Sequence, residues 1–281
     1  MSTPPFLELP SCARAGRVAG LAALWGEPAG AVRGTALLVP GFTGSKEDFI
    51  ALLEPLAGAG FRTVAVDLRG QYESAGPDDP AAYTVPALAA DVRAVTAALG
   101  ADGPVHLLGH SFGGHVVREA VLAEPGALPW RTLTLMSTGP ALAPAEAGRM
   151  ALLRDALGSM DLESVWQAIR QLEGERVPPV EPEIEEFLHR RWLANHPLAL
   201  AAAAAHLVAP PDRVAELAAA VGGLPTLVLS GERDYAWPVE EQSAMAERLR
   251  AVRRTVSGAG HSPNTERPAQ TAEFLAGFWS G

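Results

Sequence analysis

The tightest constraint on this chain is the stretch Val105-His106-Leu107-Leu108-Gly109-His110-Ser111-Phe112-Gly113-Gly114-His115-Val116-Val117. An apolar run ends at Gly109, a serine follows two residues later, and the segment beyond Gly113 has helical periodicity. A strand that turns at once into a helix crowds the turn residue's neighbours two positions before and two after. Glycine at both places removes the Cβ atoms that would collide. Ser111 is then expected at the tip of the turn, its hydroxyl exposed beside the first unpaired helical N–H groups. Gly-x-Ser-x-Gly between a strand and a helix is the pattern of a nucleophile elbow. The bland alternative is a glycine-rich turn with an idle serine.

Around this elbow the chain alternates. Arg17–Trp25 and Arg33–Val39 read as strands, after a first stretch, 1–16, with little pattern. Ala36-Leu37-Leu38-Val39 is continuously apolar, as a strand buried on both faces should be. Ser45 and Asp48 resemble a helix N-terminus ahead of Phe49, Leu52, Leu53 and Leu56. Phe61–Asp67 is a strand, Thr84 caps a helix through Leu99, Pro104–Leu108 is the strand into the elbow, and Thr132–Met136 is the next. Such alternation implies parallel strands with helices on both faces. From 140 to 220 the pattern is helical only: Ala145–Leu157, Leu162–Leu172, Glu183–Ala194, Leu198–Val208 and Asp212–Val221, punctuated by Pro178-Pro179 and Pro210-Pro211. Alternation resumes with strand Leu224–Ser230, helix Pro238–Leu249, a strand near Arg253–Val256 and a final helix from Pro268 to Trp279. The expected organisation is therefore a core in two parts, 1–139 and 221–281, with a helical cap at 140–220.

Composition narrows the partners. At 281 residues and 48% hydrophobic content the chain can bury a large core. Its net charge of −10 argues against nucleic acid or an anionic membrane surface. No apolar run is long enough to span a bilayer, and no secretory pattern opens the chain. Cys12 is the single cysteine and suits a reducing compartment, so a cytoplasmic location is expected. No His/Asp/Glu cluster has zinc-ligand spacing, and His110 and His115 are five apart, off one helical face; no metal and no cofactor are expected. Oligomeric state is not legible.

A serine hydroxyl needs a base, and the base needs a group that fixes its tautomer. Of the seven histidines, His261 lies in the glycine-flanked loop Ser257-Gly258-Ala259-Gly260-His261-Ser262-Pro263, where a side chain can reach across strand ends. His106 reads as a packed core residue, His110 should point away from Ser111, and His115 sits on the following helix. His189, His196 and His206 read as surface residues of the helical stretch. Two aspartates end strands: Asp67, and Asp234 in Gly231-Glu232-Arg233-Asp234. For a nucleophile on such an elbow the partners follow in the order serine, acid, histidine. Asp234 obeys that order and Asp67 does not; Glu232 is the nearest competitor. Two backbone N–H groups should hold the oxyanion, that of Phe112 and, in Gly41-Phe42-Thr43-Gly44, that of Phe42. A plain glycine turn is the alternative for the second loop.

These segments, in this order, resemble the α/β-hydrolase fold over nearly the whole chain, with Asp67-Leu68-Arg69-Gly70 and Glu266 and Pro268 matching as well. The resemblance implies that 140–220 is the family's cap, inserted after the sixth strand. It departs at Pro40-Gly41, where the family often has His-Gly, and at Arg69-Gly70-Gln71-Tyr72, where it often has Arg-Gly-His-Gly. Dehalogenases and epoxide hydrolases of the fold carry an aspartate at the elbow, so Ser111 points instead to an acyl-serine. The expected activity is cleavage of carboxylic or thio esters of small to medium apolar substrates. C–C bond hydrolysis, aminopeptidase action (with Glu173, Glu175, Glu185 or Glu186 holding an amino group), cofactor-free perhydrolysis and a non-catalytic binding role stay open. Among the cap's large apolar residues, which include Met160 and Phe187, Met150, Trp166 and Trp192 are the candidates for substrate contact. At helical spacing such residues are more often core than pocket.

Overall fold

The computed structural model describes residues 2–100, 103–126, 128–173 and 180–281. Strands β1 (Ala13–Val18) and β2 (Leu21–Gly26) form a hairpin across Ala19-Gly20, whose φ angles are 47° and 87°. Two successive positive φ values match the right-handed twist of a tight hairpin. The single strand expected over Arg17–Trp25 is thus two, split at this turn. β1 lies at the sheet edge and is largely exposed, so it carries no apolar alternation to read.

The remaining strands are β3 (Gly34–Val39), β4 (Phe61–Val66), β5 (Val105–His110), β6 (Trp130–Met136), β7 (Thr226–Gly231) and β8 (Val252–Val256). The sheet order is β1-β2-β4-β3-β5-β6-β7-β8, parallel from β3 to β8 and antiparallel at the β1 and β2 edge. Helices α1 (Ile50–Gly58), α2 (Val85–Leu99), α3 (Phe112–Leu122), α9 (Val239–Leu249), α10 (Pro263–Glu266) and α11 (Pro268–Ser280) connect and cover it.

Pleating explains the two cores. Leu37 and Val39 pack on one face with Val92 of α2 and Val116 of α3, while Ala36 and Leu38 pack on the other with Leu52 of α1 and Leu275 of α11. A strand buried on both faces reads as a continuous apolar run, which is why β3 was legible without alternation. The order of strand addition reverses about β3, with β4 on one side and β5 on the other and all three parallel, so a crevice opens at the carboxyl ends of these strands.

Helices α4 (Pro144–Leu157), α5 (Leu162–Glu173), α6 (Pro182–Leu193), α7 (Pro197–Val208) and α8 (Val214–Ala220) lie between β6 and β7, and no strand occurs there among the described residues. Pro178-Pro179 falls outside the described residues. The insertion has its own core of Leu157, Trp166, Phe187, Trp192 and Leu200. It is pinned to the rest of the chain by fully buried Arg191 of α6, which donates to Asp48 Oδ1 (2.7 Å) in the turn after β3 and to the Ser2 carbonyl (2.7 Å). Ser45, expected as a helix cap, makes no capping bond; its hydroxyl accepts from Arg191 instead, at 3.3 Å. Burial pushes the Asp48 carboxyl up to about 6, against the pull of the Arg191 guanidinium. No helix among the described residues is long and apolar enough to cross a membrane.

Candidate active site

Ser111 stands at the turn from β5 into α3 with φ 54° and ψ −120°, a conformation costly for a residue with a side chain. The two glycines around it explain how the turn is tolerated. A Cβ on Gly109 would strike the Gly113 carbonyl, and one on Gly113 would come within 2.5 Å of the Val39 and Pro40 carbonyl oxygens. The elbow is therefore wedged against the end of β3 as well as turned on itself.

Three side chains distant in sequence meet at this rim. Ser111 Oγ lies 3.1 Å from His261 Nε2, and His261 Nδ1 lies 2.9 Å from Asp234 Oδ1. With Nδ1–H donating to the carboxylate, Nε2 is left free to accept the serine proton. Asp234 is buried and collects further donors: the N–H groups of Ala236 (3.0 Å) and Trp237 (3.1 Å) at Oδ1, and Gln242 Nε2 (3.1 Å) at Oδ2. Burial alone would raise this carboxyl. The hydrogen bond and charge of His261 and the two backbone N–H groups outweigh it and hold Asp234 below the ordinary range.

The loop bearing His261 is braced by Glu266 and by His110. Glu266 accepts from the N–H of Gly260 (2.6 Å) and of Ser262 (2.9 Å), and His110 Nε2 donates to the His261 carbonyl (3.0 Å). Burial, and then the neighbouring His261, push His110 down to about 3, so it is a neutral strut. As expected, His110 does not reach the serine; its hold on the His261 backbone had no sequence signal. Gln242 was likewise missed: it is one polar residue on the inner side of α9, and only the fold aims it at Asp234.

Asp67, the other strand-end aspartate, is engaged elsewhere. It accepts from Lys46 N (2.7 Å), Lys46 Nζ (3.0 Å) and Glu73 N (3.2 Å). Glu232 accepts from Gly258 N (2.8 Å) and braces the His261 loop. Phe42 and Phe112 flank the serine: a Cβ on Gly41 would lie 3.0 Å from Ser111 Cβ. Neither the Phe42 nor the Phe112 N–H donates to any partner among the described residues. Gln71, where the resemblance departs from its family, donates to the Gly41 carbonyl (3.0 Å) and so ties the loop after β4 to the Phe42 loop.

The candidate substrate contacts in the insertion sit as follows. Trp166 and Trp192 pack on each other within the insertion's core, and the Trp192 indole donates to the Leu162 carbonyl (2.7 Å). Met150 is half-buried against the sheet-face core, and none of the three lines the cavity beside Phe42 and Phe112. Helical spacing reports which face is apolar, not which core it enters. His206, expected at the surface, is half-buried on α7 and bonded to His115 (2.9 Å), and burial lowers it to about 4. Glu185 pairs with Arg170 and Glu186 is exposed, while Glu175 and the side chain of Glu173 lie outside the described residues. Among the described residues no group of three or more His, Cys, Asp or Glu could hold a metal ion.

A parallel sheet whose strand order switches about β3, with a serine elbow at that switch point and an imidazole and carboxylate after later strands, defines an α/β-hydrolase. Residues 36–274 match the model of the alpha/beta hydrolase family, and the chain belongs to that family. It is similar to a thermophilic esterase from Thermogutta terrifontis, at 23% identity over 95% of this chain and 98% of that one, with a TM-score of 0.72. It is equally similar to an epoxide hydrolase from hot-environment metagenomes, at 22% identity over 98% and 100% of the chains and a TM-score of 0.73. At these identities the likeness concerns the fold alone. A polyketide synthase, ThaQ of Burkholderia thailandensis, is 34% identical in an alignment of 134 residues that covers 42% of this chain and 6% of that protein. The chain thus spans a small fraction of the length of that relative.

Proposed function

We propose that this protein is a serine hydrolase that cleaves carboxylic or thio esters of small to medium apolar substrates through an acyl-serine. The observation that carries the reading is the continuous relay from Ser111 Oγ through His261 to Asp234, at 3.1 and 2.9 Å. In it, Ser111 Oγ attacks the acyl carbon while its proton passes to His261 Nε2, and Asp234 stabilises the imidazolium. The Phe42 and Phe112 N–H groups receive the oxyanion. Collapse expels the alcohol or thiol with the proton from His261. Water then attacks the acyl-serine, giving its proton to His261, and the acid leaves as Ser111 recovers its own. Every proton-moving group in this scheme belongs to the chain. A serine at the elbow supports this chemistry over the aspartate-based reactions of the same fold. Helices α4–α8 serve as the cap over the site.

The test uses p-nitrophenyl acyl esters and a fluorophosphonate probe. Wild type should turn over the esters and label at Ser111. Ser111→Ala should do neither, its rate falling by about 10⁶. Turnover by Ser111→Ala near the wild-type rate would remove Ser111 from the role of nucleophile.

A further inference from the structure

The Gly41 carbonyl and the Phe42 N–H belong to one peptide unit, so whatever holds the carbonyl decides where the N–H points. The unit is planar and trans, and its carbonyl and N–H face opposite ways. It stands against the nucleophile's turn: a Cβ on Gly41 would lie 3.0 Å from Ser111 Cβ and 3.4 Å from the His110 carbonyl oxygen. Gly41 has no side chain to bar rotation of the unit. Two donors fix it instead. The Gly41 carbonyl accepts from Gln71 Nε2 at 3.0 Å and from Gly44 N at 3.2 Å. The Gly44 bond lies within the same turn and moves with it. The Gln71 bond comes from a different loop.

Gln71 is itself held still. It is buried, its N–H donates to the Leu68 carbonyl (2.9 Å), and its carbonyl accepts from Ser74 N (2.8 Å). Its Oε1 accepts from Leu68 N (3.0 Å), which leaves Nε2 as the end that faces Gly41. The insertion steadies the same turn, because the Gly70 carbonyl accepts from His196 N, just ahead of α7, at 2.8 Å. On the acyl-serine reading above, on which this step rests, we propose that Gln71 is a positioning residue for the oxyanion. By gripping the Gly41 carbonyl from outside its loop, Gln71 aims the Phe42 N–H at the charge that develops beside Ser111. An oxyanion donor works by being oriented before the charge appears. The grip also polarises the shared amide and so strengthens its N–H as a donor. Losing Gln71 leaves the donor present but poorly aimed, so the cost should fall short of the ~10²–10³ that follows outright loss of a donor.

The experiment measures kcat and KM for p-nitrophenyl acetate and for its thiono analogue, in which C=S replaces C=O. Sulfur is a weak hydrogen-bond acceptor, so the oxo-to-thiono rate ratio reports how well the site holds an oxygen anion. Wild type is compared with Gln71→Met, which keeps the length without the donor, and Gln71→Asn, which keeps an amide for Leu68 N but is one carbon short of Gly41. Active sites are counted by fluorophosphonate labelling. Both variants should lower kcat for the oxoester by about tenfold with KM within about twofold, and should lower the oxo-to-thiono ratio of kcat/KM by about fivefold. The ratio is taken on one preparation, so a partly folded variant does not move it. An oxoester kcat within about twofold of wild type in both variants, or equal losses for the two esters, would overturn the positioning role and leave the esterase reading standing. Wild type that neither turns over the oxoester nor labels at Ser111 would overturn both.

Discussion

Asp67 and Asp234 occupy matching places: each follows the end of a parallel strand, each is buried, and each accepts backbone N–H groups. They differ in the side chain that faces them. Asp234 meets the His261 imidazole, which in turn faces Ser111. Asp67 meets the Lys46 ammonium, itself also paired with Glu47 and Glu73 at 2.8 Å. Burial opposes that ammonium, but the three carboxylates prevail and hold Lys46 charged. Asp67 is pushed the other way: burial raises it to about 7 despite Lys46, whereas Asp234 is held low. The comparison teaches that a carboxylate at a strand end is a position and not a role. On the proposed mechanism the role belongs to whichever carboxylate has an imidazole within reach of the nucleophile.

Removing the imidazole should erase the distinction most completely. His261→Ala is expected to lose about 10⁶ in kcat, as much as loss of the nucleophile, measured on p-nitrophenyl esters. Next comes the direct contrast. Asp234→Asn should lose about 10⁴ in kcat by leaving the wrong tautomer, while Asp67→Asn should change kcat/KM less than about threefold, under ~0.7 kcal/mol of barrier. A large loss from Asp67→Asn with a small one from Asp234→Asn would reverse the assignment. Gln242→Leu removes one of the donors to Asp234 and should lower kcat by about tenfold, as expected for one hydrogen bond to a charged group.

Stability should separate the two sites differently. Asp67→Asn leaves donors of Lys46 and Glu73 short of an acceptor and should lower unfolding free energy by about 1–3 kcal/mol, read by urea denaturation. Its pH dependence has a definite sign. Asp67 is raised from an unfolded value near ~3.9 to about 7, so its contribution is fully present below ~3.9 and is lost as pH rises through about 7. The stability gap between wild type and Asp67→Asn should therefore narrow from pH 5 to pH 8. Asp234 is lowered, so its contribution is present above ~3.9 and is lost only on acidification; its gap should stay flat over the same interval. Urea midpoints at the two pH values check both, and a gap at Asp67 that widens with pH would contradict the account.

Much of this was legible residue by residue. The elbow announced itself because Gly109 and Gly113 answer to local sterics, and the order Ser111, Asp234, His261 follows from the elbow. The insertion's helices were readable because each carries its own apolar face. What escaped reading depends on partners remote in sequence. His206 has no local mark that sets it against His115, and Trp166 and Trp192 look the same in sequence whether they face a cleft or each other. The split at Ala19-Gly20 was missed because the edge strand beside it buries almost nothing.

The sequence by itself determined the strand–helix alternation, the strained turn at Ser111 and the two candidate aspartates. Periodicity and backbone sterics act within a few residues and leave their imprint there. Tertiary structure alone decided that Asp234 meets His261 while Asp67 meets Lys46, and that His110 and Gln242 hold the assembly in place. Hydrogen bonding and desolvation depend on which groups the fold brings within about 3 Å of one another, and no local pattern encodes that distance.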